Sequence, residues 1–527
     1  MKNQHHLLIL VVAVSALSLG CSADAVGVGG ELSVPSSVNV SQGGAQDFAE
    51  FRAIVEEGGV PSPDTLDETG FFAEHAVDLP AADCGDALCL HPMLAVAPRF
   101  GPGAWTMAFV AMNTAIDAKE LVRPPLHLVL AVEKRWSVLK WLPSNGTAIT
   151  NLIDELKSGD RVTVIGFDHA SRVLGAVTRD EPNASSTVLY SVLGSIGSVD
   201  HIPEQEYTSI YEGLAAADRA IEEVRETFDG AHRVLLFTTA RADTGITDEG
   251  HIVGLAESMI AKGTAIGMVG IGEEYDGEMA RAIGSLGGGN LSYARDAEDL
   301  GPILELEAKT TLFPLATNFE LQLTSNAPYD IGRVYGVSRA TTVGNTARLS
   351  LPALFIGRRE GADDALGGRR GGGGGLFVEL LPKEASVNDA AGEAAFVMTA
   401  SWKTSEDEVE QTSTTIVNEL APGLPPDGMW PSFSHPGHGK PFMMLNMYLA
   451  LHHAVKYYAE GDCARAMGLI DMMMPSVEGW QAKFNDADFA EDYRIMLKLR
   501  ANLVEHCNSK GVITPRPPNT APACFLL

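Results

Sequence analysis

Basic residues and recognisable catalytic motifs are scarce in this sequence. Its 527 residues include 38 Lys and Arg against 68 Asp and Glu, which gives a formal net charge of −30. Such a chain repels phosphate backbones, so nucleic acid is not expected as a partner. The sequence also lacks Gly-x-Ser-x-Gly, His-Glu-x-x-His and Gly-x-x-x-x-Gly-Lys-[Ser/Thr], which are typical of serine hydrolases, zinc proteases and phosphate-binding loops. We therefore predict a non-enzymatic protein without a cofactor.

Long apolar runs are also absent outside the N-terminus, where Leu7–Leu19 follows Lys2. A basic residue before a short apolar run is typical of an export signal, because the run is too short to span a bilayer comfortably. The run ends in Leu17-Ser-Leu-Gly-Cys21, which resembles a bacterial lipobox, although Ser18 stands where Leu is usual. We predict a signal peptide over residues 1–20, a lipid on Cys21, and an exported, membrane-anchored lipoprotein that faces the periplasm or lies in the outer membrane. Cleavage near Ala23-Asp-Ala25, with secretion and no lipid, is the alternative.

Cysteine is rare, and its six copies fit an exported protein. Apart from the lipobox cysteine, five remain for an oxidising compartment, in which disulfides persist. Cys84 and Cys89 are near enough in sequence to close a small loop, and Cys463 can reach Cys507 across a helical hairpin, which leaves Cys524 over. Other pairings stay open, because sequence alone does not fix disulfide connectivity.

Residues 126–308 alternate apolar runs with amphipathic segments. The apolar runs are Leu126–Val132, Val162–Phe167, Val234–Phe237 and Ala265–Ile271. The segments with helical spacing are Thr147–Lys157, Val188–Ile196, Ile210–Val224, Ile252–Ala261 and Glu278–Ile283. This alternation predicts an α/β domain with a doubly wound, mostly parallel sheet covered on both faces. Ligands of such sheets bind at the carboxyl ends of the strands, where Glu133, Thr208 and Thr239 are expected.

The regions on either side of residues 126–308 have a different composition and a different pattern of apolar residues. A Gly- and Ser-rich stretch at 21–45 predicts a flexible tether, and residues 46–125 predict a helix followed by β-strands. Short alternating segments at 309–425 predict further strands, which we expect to form, with those before residue 126, an antiparallel β-sandwich into which the parallel-sheet domain is inserted. Residues 435–510 are predicted to be helical. Gly367–Gly375 is interpreted as a flexible hairpin connection; a basic loop that contacts an acidic partner is the alternative.

Three separated segments resemble the metal-site loops of a von Willebrand factor type A domain. Leu128–Ser137 is an apolar strand followed by Glu-Lys-Arg-Trp-Ser, where that family has Asp-x-Ser-x-Ser. Tyr207–Leu214 places a Thr ahead of a helix, and Arg233–Gly245 resembles the family's strand followed by Thr-Asp-Gly. Gln46–Pro61 is similar to the short helix and turn that precede the domain in a group of bacterial envelope proteins. The resemblance covers roughly residues 46–375.

The resemblance implies a metal-ion-dependent adhesion site whose ligands have largely been replaced. In the family an Asp, two Ser, a Thr and a second Asp bind Mg²⁺, and a carboxylate of the partner completes the coordination. The matching positions here are Glu133, Arg135, Ser137, Thr208 and Thr239. Because Arg135 carries a permanent positive charge, we expect no metal and hypothesise that its guanidinium lies near Glu133. Asp243 and Asp248, in the loop after the third segment's strand, are interpreted as solvated; a carboxylate supplied to the site outside the usual pattern is the alternative.

These observations predict a cell-envelope adhesion or scaffold protein that binds another protein at the carboxyl edge of the parallel sheet without a metal. The alternative is a metal-dependent adhesion protein that binds Mg²⁺ or Ca²⁺ through Glu133, Ser137 and Thr208, since such ions prefer oxygen ligands. Partner binding that is sensitive to EDTA would indicate the alternative.

Overall fold

Two β-sheets and a C-terminal group of helices make up the described part of the chain. The structure is a computed structural model that describes residues 38–45, 48–98, 104–117, 121, 123–140, 151–179, 207–272, 274–310, 314–326, 329–337, 340–357, 373–383, 394–404, 410–418, 432–433 and 439–509. The predicted signal peptide, Cys21, Cys524, Val188–Ile196 and residues 358–372 lie outside these ranges.

Helices and strands are numbered separately in chain order. The helices are α1 (Phe48–Glu56), α2 (Glu68–Ala73), α3 (Trp136–Leu139), α4 (Ile210–Glu222), α5 (Glu249–Ala261), α6 (Gly277–Gly284), α7 (Ala297–Thr310), α8 (Gly439–Ala459), α9 (Cys463–Phe484) and α10 (Ala487–Ser509), with a 3-10 turn at Pro63–Thr65. The strands are β1 (Val38–Ser41), β2 (Gly44–Ala45), β3 (Cys89–Pro98), β4 (Ala104–Thr114), β5 (Leu126–Glu133), β6 (Arg161–Phe167), β7 (Ser171–Thr178), β8 (Ala231–Thr238), β9 (Thr264–Ile271), β10 (Asn290–Ala294), β11 (Pro314–Ser325), β12 (Tyr329–Tyr335), β13 (Ala340–Val343), β14 (Thr346–Ile356), β15 (Gly375–Pro382), β16 (Ala394–Thr404), β17 (Glu410–Asn418) and β18 (Ser432–Phe433).

Seven strands form a doubly wound sheet in the order β2-β10-β9-β8-β5-β6-β7. Neighbouring strands are parallel except β6 and β7, which form an antiparallel hairpin. Helices α4, α5 and α6 pack on one face, and α3, α7 and Leu152 pack on the other, so every residue of β5 is buried. The mostly parallel sheet covered on both faces, predicted from the sequence, is confirmed.

The chain order of the strands reverses at β5. From β5 the chain continues to β6 and β7 on one side of the sheet, and later to β8, β9 and β10 on the other. The connections that leave β5 and β8 therefore diverge and leave a crevice at the carboxyl ends of these two strands. In open α/β sheets this is the position at which ligands bind.

The other strands form two antiparallel layers over a shared apolar core. One layer contains β12, β15, β4 and β3, and the other contains β14, β11, β16 and β17. Strand β1 joins the layers, because Asn39 pairs with Asn113 of β4 and Val40 pairs with Ile356 of β14. The predicted antiparallel sandwich around the parallel-sheet domain is confirmed.

Strand β4 is apolar on both faces because it is covered on both sides. Ala108, Val110 and Met112 face the core of the sandwich, whereas Met107 and Phe109 belong to a second core that contains the C-terminal helices. Successive side chains of a strand point to opposite faces. The uninterrupted apolar run in β4 therefore results from a layer of helices packed on the outside of the sandwich.

The C-terminal helices also hold the N-terminal segment. Nε2 of His75, just after α2, lies 2.7 Å from Oδ2 of Asp492 in α10, and both side chains are fully buried. The side-chain amide of Asn502 donates to the carbonyl of Val55, 2.9 Å away. Among the described residues no helix is both long and apolar enough to cross a membrane.

The flexible tether predicted over residues 21–45 is wrong for its last part. Residues 38–41 form β1, and residues 44–45 form β2, which pairs in parallel with the start of β10. The polar, glycine-containing composition of this stretch favours a linker, yet its backbone hydrogen bonds are made with strand edges that lie far away in sequence. Gly43 adopts a φ of 68°, a left-handed conformation that favours glycine, between the two strands.

The described residues contain two disulfides, Cys84–Cys89 and Cys463–Cys507, whose partners are 5 and 44 residues apart. A crosslink stabilises a fold mainly by lowering the entropy of the unfolded chain, and a longer loop gives a larger effect. Replacing Cys463 and Cys507 by Ser should therefore lower the free energy of unfolding by about 2 kcal/mol more than the same replacement of Cys84 and Cys89. Urea denaturation followed by circular dichroism measures both losses, and equal losses would contradict this expectation.

Candidate functional site

The candidate site lies in the crevice between the carboxyl ends of β5 and β8. Glu133 is the last residue of β5, and Thr238 is the last residue of β8. Thr208 enters the crevice just ahead of α4, whose N-cap residue Ser209 accepts a hydrogen bond from the backbone N–H of Glu212. The crevice at the strand-order reversal thus brings to Glu133 residues that lie 75 to 106 positions further along the chain.

The Glu133 carboxylate is fully buried and is held by three threonines. Its Oε1 accepts hydrogen bonds from the hydroxyls of Thr208 (2.8 Å) and Thr239 (3.0 Å). Its Oε2 accepts from the hydroxyl of Thr238 (2.7 Å) and from the backbone N–H of Thr239 (2.6 Å). Both carboxylate oxygens are therefore used by donors of the protein itself.

Arg135 extends across the same crevice, and its side chain is only 7% exposed. Its Nη1 lies 4.0 Å from Oε1 of Glu133 and 3.4 Å from the hydroxyl of Thr239. Its Nη2 lies 3.3 Å from Oδ2 of Asp243, and its Nε lies 3.5 Å from Oε2 of Glu274. The guanidinium is thus surrounded by three carboxylates, one on its inner side and two towards the surface.

Burial raises the pKa of Glu133 above its ordinary value of 4.5, because the ionised carboxylate loses its hydration. The hydrogen bonds from Thr238, Thr239 and Thr208 oppose this shift, since each favours the ionised form. Desolvation has the larger effect on the pKa, so the donors only partly compensate the cost of ionising Glu133.

Ser137, the remaining predicted site residue, forms no hydrogen bond to this cluster. It lies in α3, directly after the residue pair Arg135 and Trp136, and its Oγ is buried without a hydrogen-bond partner among the described residues. The structure therefore brings four of the five predicted positions into contact and leaves the fifth beside them.

Three further residues belong to the cluster. Thr238 and Glu274 match no position of the metal-loop pattern, although the Thr-Thr pair at the end of β8 already places two hydroxyls at the strand end. The interpretation of Asp243 as solvated is wrong, because its side chain is only 15% exposed and also pairs with Arg241 at 2.9 Å. Asp248 is exposed, and it caps α5 by accepting from the backbone N–H of His251 at 3.0 Å.

The donors around Glu133 do not fit a divalent cation of the Mg²⁺ type. Such an ion requires about six oxygen ligands in near-octahedral geometry, whereas the oxygens of Glu133 accept from hydroxyl and N–H donors and face a guanidinium. In the part of the chain that the structure describes, no group of three or more His, Cys, Asp or Glu residues is arranged to hold a metal.

Comparisons with known proteins give distant similarities. No family model matches the chain. The uncharacterized protein YfbK of Escherichia coli K12 is 22% identical over 288 residues, which cover 53% of this chain and 48% of that relative, so the match spans about half its length. Among solved structures, a von Willebrand factor type A protein from Catenulispora acidiphila has 12% identity and a TM-score of 0.49, over 74% of this chain and 89% of that one. The ArnB paralog VWA2 from Sulfolobus acidocaldarius has 10% identity and a TM-score of 0.42, over 79% and 98%.

The raised pKa of Glu133 predicts a specific pH dependence of stability. An acid whose pKa is higher in the folded state stabilises the fold below its unfolded pKa, and this contribution is lost as the pH rises from about 4.5 through the folded pKa. Glu133→Gln removes the titration and keeps a side chain of the same length. We expect the unfolding free energy of the wild type, relative to that of the variant, to fall as the pH rises from acid to neutral. Urea denaturation across that range measures it, and a difference that does not vary with pH would refute the expectation.

Proposed function

We propose that this protein is a non-enzymatic adhesion or scaffold protein that binds another protein at the carboxyl edge of the parallel sheet without a divalent cation. The main support for the proposal is that both carboxylate oxygens of Glu133 already accept hydrogen bonds within the protein, from Thr208, Thr238 and Thr239. A metal ion at this position would have to displace these donors. The loops at the carboxyl edge of the parallel sheet are therefore already held in place by side chains of the protein itself.

The charge of Arg135 supports the absence of a cation. A positive charge roughly 4 Å from a divalent ion costs about 8 kcal/mol at an effective dielectric constant near 20. The difference between micromolar and millimolar affinity is only about 4 kcal/mol. The guanidinium also has ion-pair partners in Asp243 and Glu274 that hold it in the crevice, so it does not need to turn towards solvent.

A second candidate function, metal-dependent adhesion through Glu133, Ser137 and Thr208, has one observation in its favour. The Ser137 hydroxyl is buried without a hydrogen-bond partner among the described residues, and a buried polar atom of this kind is rare in native proteins. This candidate requires Arg135 to leave the crevice. We therefore place it second.

Titration calorimetry with Mn²⁺ distinguishes the two candidates. We expect no binding to the wild-type protein, and binding to a variant that combines Arg135→Ser with Thr239→Asp, because this variant removes the cation and supplies a second carboxylate. A matched control combines Arg348→Ser with Thr341→Asp, two exposed positions that pair on the sandwich; it changes the charge equally away from the crevice and should not bind. Stoichiometric micromolar binding of Mn²⁺ to the wild type would overturn the proposal.

We further propose that the protein is exported and anchored in a membrane through a lipid on Cys21. The lipobox-like sequence supports this, and so do the two disulfides, which persist in oxidising compartments. Cells that express the protein should incorporate radiolabelled palmitate into the wild type and not into Cys21→Ser. Equal labelling of the two, or no labelling of either, would refute the lipid anchor.

A further inference from the structure

Three large apolar side chains are exposed around the Glu133 cluster, one at the start of α3 and two in loops. Trp136 is 53% exposed, Tyr207 is 52% exposed and Ile246 is 38% exposed. Trp136 directly follows Arg135, and Tyr207 directly precedes Thr208. Ile246 lies in the loop that is bound to Thr208 through the backbone N–H of Thr244, 3.3 Å from the Thr208 carbonyl. Exposed Trp and Tyr at the rim of a crevice are typical of the residues that dominate protein–protein binding energies.

A cavity of about 770 Å³ lies beside the Glu133 cluster, with which it shares Asp243 and Glu274, and it is strongly acidic. It lies between the N-terminal segment around α1 and the loops that follow β8 and β9. Its charged lining residues are Glu50, Asp64, Asp243, Glu274, Asp276 and Glu278, with Arg241 and Arg281. Among the described lining residues, six carboxylates against two guanidinium groups give a formal charge of −4.

The cations of the protein neutralise only part of this charge. Arg281 pairs with Glu50 at 2.6 Å, Arg241 pairs with Asp243 at 2.9 Å, and Arg135 approaches Glu274 at 3.5 Å. The three other carboxylates, those of Asp64, Asp276 and Glu278, form no ion pair with any described residue. Asp276 accepts a hydrogen bond from the backbone N–H of Met279, and Asp64 accepts one from the hydroxyl of Ser62. The cavity therefore presents carboxylates that a cationic donor from outside would complement.

We propose that the partner inserts a Lys or Arg side chain into this cavity and packs neighbouring apolar side chains on Trp136 and Tyr207. The inference rests on the proposed protein-binding function and specifies the chemistry of the partner. Arg135 already pairs with Asp243 and Glu274. The charge that remains for a partner is that of Asp64, Asp276 and Glu278, so the edge attracts positive charge, whereas a bound metal would attract a carboxylate. A second copy of this chain is disfavoured as the partner, because its net charge of −30 opposes self-association.

The proposal is tested with short, fluorescently labelled synthetic peptides in which two residue types alternate: Leu and Arg, Ser and Arg, or Leu and Glu. Their binding to the full chain is measured by fluorescence anisotropy. We expect the Leu–Arg peptide to bind equally with Mg²⁺ and with EDTA, and to bind more tightly than a Ser–Arg peptide. The variant that combines Asp64→Asn with Glu278→Gln should weaken the binding about tenfold, because two unpaired carboxylates are lost. Trp136→Ser should weaken it by a similar factor, and Ile416→Ser, on the sandwich, should have no effect.

A matched control separates the cavity from the general negative charge of the protein. Glu226→Gln combined with Asp229→Asn removes two exposed carboxylates at the opposite edge of the sheet and should change the affinity less than about twofold. Equal weakening by both pairs, or no binding of the Leu–Arg peptide, would overturn the inference while leaving the metal-free function intact. Binding of a Leu–Glu peptide only in the presence of Mg²⁺ would overturn the proposed function as well.

Discussion

A carboxylate buried at the end of a parallel strand must find hydrogen-bond donors, because the cost of removing a charge from water is otherwise too large for a fold to bear. Glu133 meets this requirement with the hydroxyls of Thr208 and Thr238 and with the hydroxyl and backbone N–H of Thr239. These donors come from the loop ahead of α4 and from the end of β8. The same interactions that satisfy Glu133 therefore fix the position of the loops relative to each other.

The position of Arg135 follows from the same need to compensate a buried charge, and it determines the charge of the surface around the crevice. With its guanidinium between Glu133 on the inner side and Asp243 and Glu274 on the outer side, the crevice contains its own cation. The acidic wall beyond it includes Glu50, which is held by Arg281. The N-terminal segment that supplies part of this wall is in turn fixed by the C-terminal helices, through the contact of Asn502 with Val55. The surface thus depends on elements from both ends of the described chain.

The sequence predicts the parallel sheet well because its signal is local. Continuous apolar runs such as Leu126–Val132 need only their own neighbours to be recognised, and the meeting of Glu133, Thr208 and Thr239 follows once the strands are parallel. By contrast, β1 and β2 carry no local signal, since they are stabilised by edges of strands that lie hundreds of residues away. Asp243 likewise has the sequence context of an ordinary loop residue, because its partner Arg135 lies far away in the sequence.

Anomalous diffraction from crystals soaked in Mn²⁺ tests the central claim most directly, because it locates the ion and the guanidinium in a single experiment. We expect the Arg135 guanidinium between Glu133 and Asp243, with no anomalous peak within coordination distance of the Glu133 oxygens. An anomalous peak ligated by Glu133, Ser137 and Thr208, with Arg135 turned to solvent, would contradict the metal-free site.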